Sequence, residues 1–438
     1  MSISPTAEIL APPPGVFRKT QWSVIWLMTL TLFCALTVGG LFAPLTEAAR
    51  LDLGLTDLQV GLIQGMAFAA PTAVLSLPIA WMVDHGTRSR LLVILASLWA
   101  IGTIGMAFVH DFTTLFLVRL VANIGSGCVF PVVVSLLADV CMPERRGRSM
   151  LLVSIGAWSG AGAAFAIGGS LFGYLSTHAG PFGAMAPWRS THLLVGIAAV
   201  VLVLPLFLLK EPARHEVEQS STSLGPALRA FWRRRGFLLP LFMGQFAGAM
   251  AEGAAAIWIG SVLVRQYHQS PGQFGGWVGL LILVSGLVGS VIGGFAADAG
   301  HKLKMRGGIL LPALLATALT VPAAAYSIMP SVTGFAWMLF ALLLGGTIVN
   351  LVVSAAIAVL IPNEERAVCL ASMKIIGSVF GVGLAPPLIA WITHAFTGPR
   401  GLGEALTLFG VVTHALSLGG FWLAMLNAPK EIVKDPTP

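Results

Sequence analysis

Charge is scarce in this sequence: 10% of its 438 residues are Asp, Glu, Lys or Arg, against 56% that are hydrophobic. A soluble globular chain carries about a quarter charged residues, so this composition cannot build an ordinary water-facing surface. Cysteine is also sparse, and Cys34, Cys128, Cys141 and Cys369 lie in or beside apolar runs. Their spacing suits neither a metal site nor a disulfide framework, and they read as small packing residues. No paired His/Asp site, no His-Glu-x-x-His helix and no nucleophile with a base lies in the apolar runs, so the chain is not read as an enzyme. Rings of repeated charge or carbonyl filters, which a channel would need, are missing too. The net charge of +7 does not mark a nucleic-acid partner, because the bases sit in short segments between apolar runs rather than as a stripe on one element. No cofactor or metal motif is found.

What is present is apolar length. A spanning helix needs about 20 mainly apolar residues. Twelve stretches qualify: 22–46, 58–82, 91–109, 113–140, 149–176, 191–210, 237–262, 273–297, 308–329, 335–361, 368–392 and 403–427. The first is too long for the apolar region of a secretory signal and lacks a small-residue cleavage site after it. Residues 1–21, with Pro12, Pro13 and Pro14, read as a short disordered tail. Placing that tail inside puts 19 Lys and Arg on the cytoplasmic side and leaves Arg50, Arg189, Arg265 and Arg400 opposite. The asymmetry predicts that both termini are cytoplasmic.

The chain repeats itself. Asp84 opens a basic loop after helix 2, and Asp298 opens another after helix 8, 214 residues on. Pro143-Glu144-Arg145-Arg146 follows helix 4, and Pro362-Asn363-Glu364-Glu365-Arg366 follows helix 10, 219 residues on. Loops recurring at nearly one offset with one sidedness imply two parallel six-helix bundles. The expected organisation is a cytoplasmic tail (1–21), a first bundle (22–210), a cytoplasmic linker (211–236), a second bundle (237–427) and a cytoplasmic tail (428–438).

The loop Asp84-His85-Gly86-Thr87-Arg88-Ser89-Arg90 and the helix 4 run Arg119-Leu-Val-Ala-Asn-Ile-Gly125-Ser-Gly127, with Pro131 beyond, carry a resemblance to the major facilitator superfamily. It covers essentially the whole chain, although Ala80 and His85 stand where the family's loop signature usually has Gly and Arg. Asp52-Leu-Gly-Leu-Thr-Asp57-Leu-Gln-Val-Gly-Leu-Ile-Gln-Gly65, Leu77-Pro78-Ile79 and Leu137-Ala-Asp139 running into Pro143-Glu144-Arg145-Arg146-Gly147-Arg148 look like the bacterial spinster-like branch. Where that branch carries an Asp-Arg pair in helix 1 and a Glu in helix 4, this chain has Thr37-Val38 and Ser126. The resemblance therefore implies the fold, an all-α membrane protein of twelve transmembrane helices in two pseudo-symmetric bundles, without fixing the substrate.

Charges within a bilayer are expensive and are functional candidates by default. Arg119, Glu252 and Lys374 qualify. Glu252 is the one acid in the middle of a predicted helix and follows Gln245 by seven residues, on one helical face. It is a candidate to bind and release a proton; the alternative is a structural ion pair or hydrogen bond to a neighbouring helix. Arg119 has a planar fork suited to a carboxylate or phosphate, or it forms a salt bridge with Glu252 or bonds to backbone carbonyls. Lys374 either lines the inner vestibule or snorkels to headgroups. In the family helices 1, 4, 7 and 10 line a central cavity, which implicates Asn123, Ser126, Gln245 and Asn350 in substrate binding ahead of Gln64, though such residues also serve as packing glue. Phe33, Phe42, Phe130 and Trp258 would make the rest of the cavity apolar, and His192 and His414 would be interfacial.

Asp84 and Asp298 can each sit at the start of a helix in the other half. The resemblance names helix 11 for Asp84 and helix 5 for Asp298; with Arg88 and Arg145 they would form cytoplasmic latches, or they are simply solvated. Gly156, Gly160, Gly162, Gly168, Gly169 and Gly173 on helix 5 match Gly377, Gly381, Gly383 and Pro386-Pro387 on helix 11. Such residues serve rocking or close packing equally. The expectation is a monomeric secondary active transporter in a bacterial plasma (inner) membrane. It would move a small amphipathic organic anion by alternating access with proton coupling. The alternatives are a lysolipid or sphingoid-lipid exporter, or a membrane solute sensor that does not transport.

Overall fold

The computed structural model describes residues 20–429 apart from 179–181, 184, 215–231, 304, 363–365, 367–368, 371, 374–376, 397 and 399. Lys374, most of the linker, both tails and part of the Pro362–Arg366 loop lie outside the described residues. Among those described, the chain is helical throughout and has eleven helices long and apolar enough to span a membrane, with a shorter apolar twelfth. They are α1 (Trp22–Leu53), α2 (from Asp57), α3 (Arg88–Phe108), α4 (Phe112–Val140), α5 (Pro143–Thr177), α6 (Pro187–Leu208), α7 (Arg235–Tyr267), α8 (Pro271–Lys302), α9 (Gly308–Ile328), α10 (Val332–Leu360), α11 (Gly377–Thr393) and α12 (Gly401–Leu426). The predicted span 368–392 corresponds to the shorter α11, part of whose start lies outside the described residues, and the other eleven are found as membrane-length helices with ends displaced by a few residues. The exception is α1, predicted to stop at 46, which turns at Leu41 and continues as Phe42–Leu53.

Each odd helix runs away from the end of the bundle where the described chain begins and finishes (the termini end), and each even helix runs back from the far end. Four even helices start on side chains that satisfy their first free amides. Thr56 accepts from Gln59 N at 3.2 Å, Asp111 Oδ1 from Thr114 N at 2.8 Å, and Ser331 Oγ from Gly334 N at 3.1 Å, while Gln273 Oε1 reaches back to Ser270 N at 2.8 Å. Besides α1, three helices are interrupted inside the span. α2 is divided at Gly65 into Asp57–Gln64 and Met66–His85, α4 at Cys128 into Phe112–Gly127 and Val129–Val140, and α11 passes through a π-helical stretch, Gly377–Leu384, before Ala385–Thr393.

The apolar core comes in three parts. One lies within α1–α6 and includes Ile25, Leu92, Trp99, Val132 and Leu136. Another lies within α7–α12 and includes Phe237, Leu241, Leu310, Val353 and Phe421. The third joins the halves at the far end, where Leu41, Phe42, Leu45 and Ile63 share one cluster with Trp258, Val262, Phe274 and Ile389. Close backbone approach extends this seal. A Cβ on Gly162 would meet the carbonyl oxygen of Gly279 at 2.5 Å, and one on Gly65 would meet Val382 O at 2.9 Å, so α5 packs on α8 and α2 on α11 at glycines.

Candidate functional site

Glu252 sits midway along α7, half-buried, where its carboxylate fills the space a side chain at Gly346 of α10 would need. Among the described residues no hydrogen bond or ion pair reaches it. Gln245 lies two turns nearer the termini end, about 10 Å along the axis, buried and with Oε1 unpartnered. Asn350 lies one turn beyond Gly346 in the same direction, exposed, its backbone oxygen accepting from Ser354 Oγ at 2.8 Å. Glu252, Gln245 and Asn350 therefore occupy α7 and α10 near the line where those helices meet.

The α4 residues are used differently. Arg119 is 5% exposed; its Nη1 donates to Gly39 O at 3.3 Å, just before the α1 turn, and its guanidinium lies 5.2 Å from the centre of the Phe42 ring. Among the described residues its Nε has no partner. Asn123 is fully buried and donates Nδ2 to Ala67 O at 3.1 Å, next to the α2 break, with Oδ1 left over. Ser126 donates to Ala122 O at 3.3 Å and faces Gly39. No bond joins Arg119 to Glu252; the two stand in opposite halves. Gln64 donates Nε2 to Thr46 Oγ1 at 2.8 Å and to Ile257 O at 3.5 Å, a contact across the halves.

Several sequence expectations are corrected by burial. His192 and His414 are each 2% exposed rather than interfacial, each with Nδ1 donating to a carbonyl one turn back, at 2.8 and 2.9 Å. Among the described residues their Nε2 atoms are unpartnered, and the His192 ring lies 6.0 Å from that of Phe42. Phe42 and Trp258 belong to the far-end core instead of lining a cavity: past the turn in α1, Phe42 lies against Arg119 and His192, and Ala43 packs on Gly260 of α7.

At the far end lies an ion cluster that the sequence did not reveal. Arg265 of α7 donates Nε to Glu47 Oε2 at 2.9 Å and grips Asp57 with both terminal nitrogens, at 2.9 and 2.6 Å. Arg50 closes on Glu47 at 2.6 Å. The predicted end of helix 1 left Glu47 in a loop, and Arg265 read only as one of four sparse bases. The available signal was Glu47 and Arg50 at three-residue spacing.

At the termini end lie the residues expected as latches, while much of the start of helix 11, the expected partner of Asp84, lies outside the described residues. Arg88 is buried in its own half, paired with Asp139, with Glu211 at 2.8 Å and with Ser135 Oγ at 3.2 Å. Glu211 also accepts from Ser89 N at 2.8 Å. Burial pushes the Glu211 carboxyl upward, but the Ser89 amide and Arg88 outweigh it and hold it below the usual carboxylate range. Asp84, Arg145 and Asp298 are exposed. Arg214 fastens the Asp84 turn to the start of the linker by donating to the carbonyls of Val83, Asp84 and Gly86.

Comparison with known proteins places this architecture. The chain is 25% identical over 426 residues to an MFS-type efflux pump of Mycolicibacterium smegmatis, covering 95% of each chain. It is 24% identical to a probable sulfoacetate transporter of Cupriavidus necator, over 68% of this chain and 70% of that one. The solved structure of a bacterial homologue of the human lysosomal transporter Spinster, inward-facing and unoccupied, superposes with a TM-score of 0.78 at 20% identity, covering 94% of this chain and 99% of the other. A family model described as Major Facilitator Superfamily matches residues 27–386, most of the membrane-spanning chain. The chain belongs to the Major Facilitator Superfamily.

Proposed function

We propose that this transporter couples a proton to the movement of a small amphipathic organic anion by alternating access, with both termini in the cytoplasm of a bacterial plasma membrane. The observation that carries the reading is Glu252: an acid in mid-span, packed on Gly346 and lacking any cationic partner among the described residues. An acid with no fixed counter-charge can take up a proton in one state of the cycle and give it up in the other. Gln245, two turns nearer the termini end on α7, and Asn350, one turn beyond Gly346 on α10, supply amides to a bound solute. Arg119 keeps its charge and has an uncommitted Nε–H, the donor a carboxylate or sulfonate needs. Asn123 and Ser126 lie one and two turns along α4 from it and tune its position.

In the cycle so proposed, the far end is extracellular and this is the inward-facing state. The shared core and the Arg265 cluster hold that end shut. Return to the outward-facing state breaks the cluster and brings Asp84, Arg145 and Asp298 to the opposite half. The sulfoacetate relative favours an organic anion as cargo, and the mid-span acid favours coupling over facilitated diffusion.

The test uses purified protein in liposomes with an imposed pH gradient and a panel of small carboxylates, sulfonates and lysolipids. Glu252→Gln should retain substrate binding, read as a thermal shift that grows with concentration, and lose pH-driven accumulation. A variant that still concentrates substrate against its gradient removes Glu252 from the coupling step. Stabilisation by lysolipids alone replaces the anion with a lipid cargo.

A further inference from the structure

A hollow lies where α2 ends and α3 begins. It measures about 250 Å³ and is lined by Trp81, Met82, His85, Thr87, Arg90 and Ile94, among others. Its composition is divided by position. Trp81 is 63% exposed and Ile94 52% exposed, both on membrane-spanning helices and both turned away from the protein. Such side chains face acyl chains, and Trp favours the level of the headgroups. The His85 ring stacks on Trp81 with centres 5.1 Å apart and planes 19° off parallel. Its Nδ1 donates to Trp81 O at 3.0 Å, which fixes the ring as a wall of the hollow.

Arg90 supplies charge at the rim. Arg88, two residues earlier, is buried and fully paired, whereas Arg90 is exposed and makes no hydrogen bond or ion pair with any described residue. Thr87, on the same rim, makes no capping bond to α3 with its side chain. Asp84, the acid on this turn, is not among the lining residues. An unspent guanidinium and a hydroxyl above an apolar aromatic floor at a membrane boundary match one ligand chemistry: a phosphate joined to acyl chains.

We propose that this hollow binds an anionic glycerophospholipid of the surrounding bilayer, its phosphate against Arg90 and Thr87 and an acyl chain along Trp81, Met82 and Ile94. The turn between the two helices is also the one Arg214 ties to the linker. A bound lipid would therefore brace the joint from which the chain passes to its second half.

The experiment needs no transport assay, so its failure is distinguishable from failure of the Glu252 reading. Detergent-solubilised full-length protein is titrated with dioleoylphosphatidylglycerol, dioleoylphosphatidylcholine or inorganic phosphate, and bound lipid is counted by native mass spectrometry. Phosphatidylglycerol should bind in preference to the other two. Arg90→Ala should weaken it about five-fold, the effect of one interfacial cation, and Arg90→Lys should restore most of the loss. Trp81→Ala should weaken phosphatidylglycerol binding as well. Both residues are exposed, so these variants keep the fold. Equal retention of phosphatidylglycerol by wild type, Arg90→Ala and Trp81→Ala overturns the proposal. So does equal binding of phosphatidylcholine, and binding of inorganic phosphate as tight as that of the lipid reduces the site to a phosphate site.

Discussion

At the far end Arg265 grips Glu47 and Asp57 of the opposite half; at the termini end Arg88 grips Asp139 of its own half and Glu211, three residues past the end of α6. The two clusters use the same chemistry, a guanidinium shared between two carboxylates, and differ in what they join. The apolar core repeats the distinction, with one cluster spanning both halves at the far end and two separate clusters elsewhere. An ion pair inside one half persists through any rigid-body movement of that half. An ion pair between halves is made in one state and broken in the other, so its free energy sets the balance between states rather than the stability of either bundle.

The largest expected effect follows from Arg88. Arg88→Ala leaves Asp139, whose side chain is 6% exposed, without this partner. Breaking a buried pair on one side costs about 3–5 kcal/mol. A strong fall in melting temperature is expected, with no change in the ratio of the two conformations among the molecules that remain folded. A melting temperature within a degree or two of wild type would contradict the structural role given to this cluster.

Arg265→Ala should act in the opposite sense. Arg265 itself is 21% exposed against 3% for Arg88, and Glu47 keeps Arg50 as a partner, so the loss is smaller, about 1–2 kcal/mol, and it falls on the state in which the halves meet. That corresponds to roughly a five- to thirty-fold shift of the equilibrium towards an open far end. Spin labels on α1 and α7 near the cluster should report a new, longer distance population, while the melting temperature moves little. If the distance distribution stays that of wild type and the protein merely melts earlier, Arg265 is structural and the contrast between the ends disappears.

That contrast was only partly readable from the chain. Spans are written locally, because twenty apolar residues in a row can be counted, and the loops of Asp84 and Asp298 mark the repeat by themselves. Glu252 stood out for the same reason, as an acid inside an apolar run. Arg265 lies 208 residues from Asp57 and 218 from Glu47, and no local pattern announces such a pairing. Arg88 was misjudged for a related reason: its loop position suggested a latch, but Asp139 and Glu211 come back to it from 51 and 123 residues away. His192 was placed at an interface from its nearness to a helix start, whereas the turn at Leu41 brings Phe42 over it and closes the site.

The smallest effect belongs to Glu211, and it sharpens the comparison through pH. Its carboxyl is held below the ordinary value of 4.5 in the folded protein, so the folded state prefers it ionised. The stabilisation is complete above the unfolded pKa and is lost as pH falls through the lowered native one. Wild type should therefore melt above Glu211→Gln at pH 7, by an amount corresponding to about 1 kcal/mol for a pair reached by solvent, and the gap should close as the pH is taken below 4. Whatever the conformational ratio does with pH, it should be the same in wild type and Glu211→Gln, because Arg88, Asp139 and Glu211 travel together. A pH-dependent change in that ratio which Glu211→Gln abolishes would mean that this cluster, too, senses the opposite half, and that both ends of the transporter are gates.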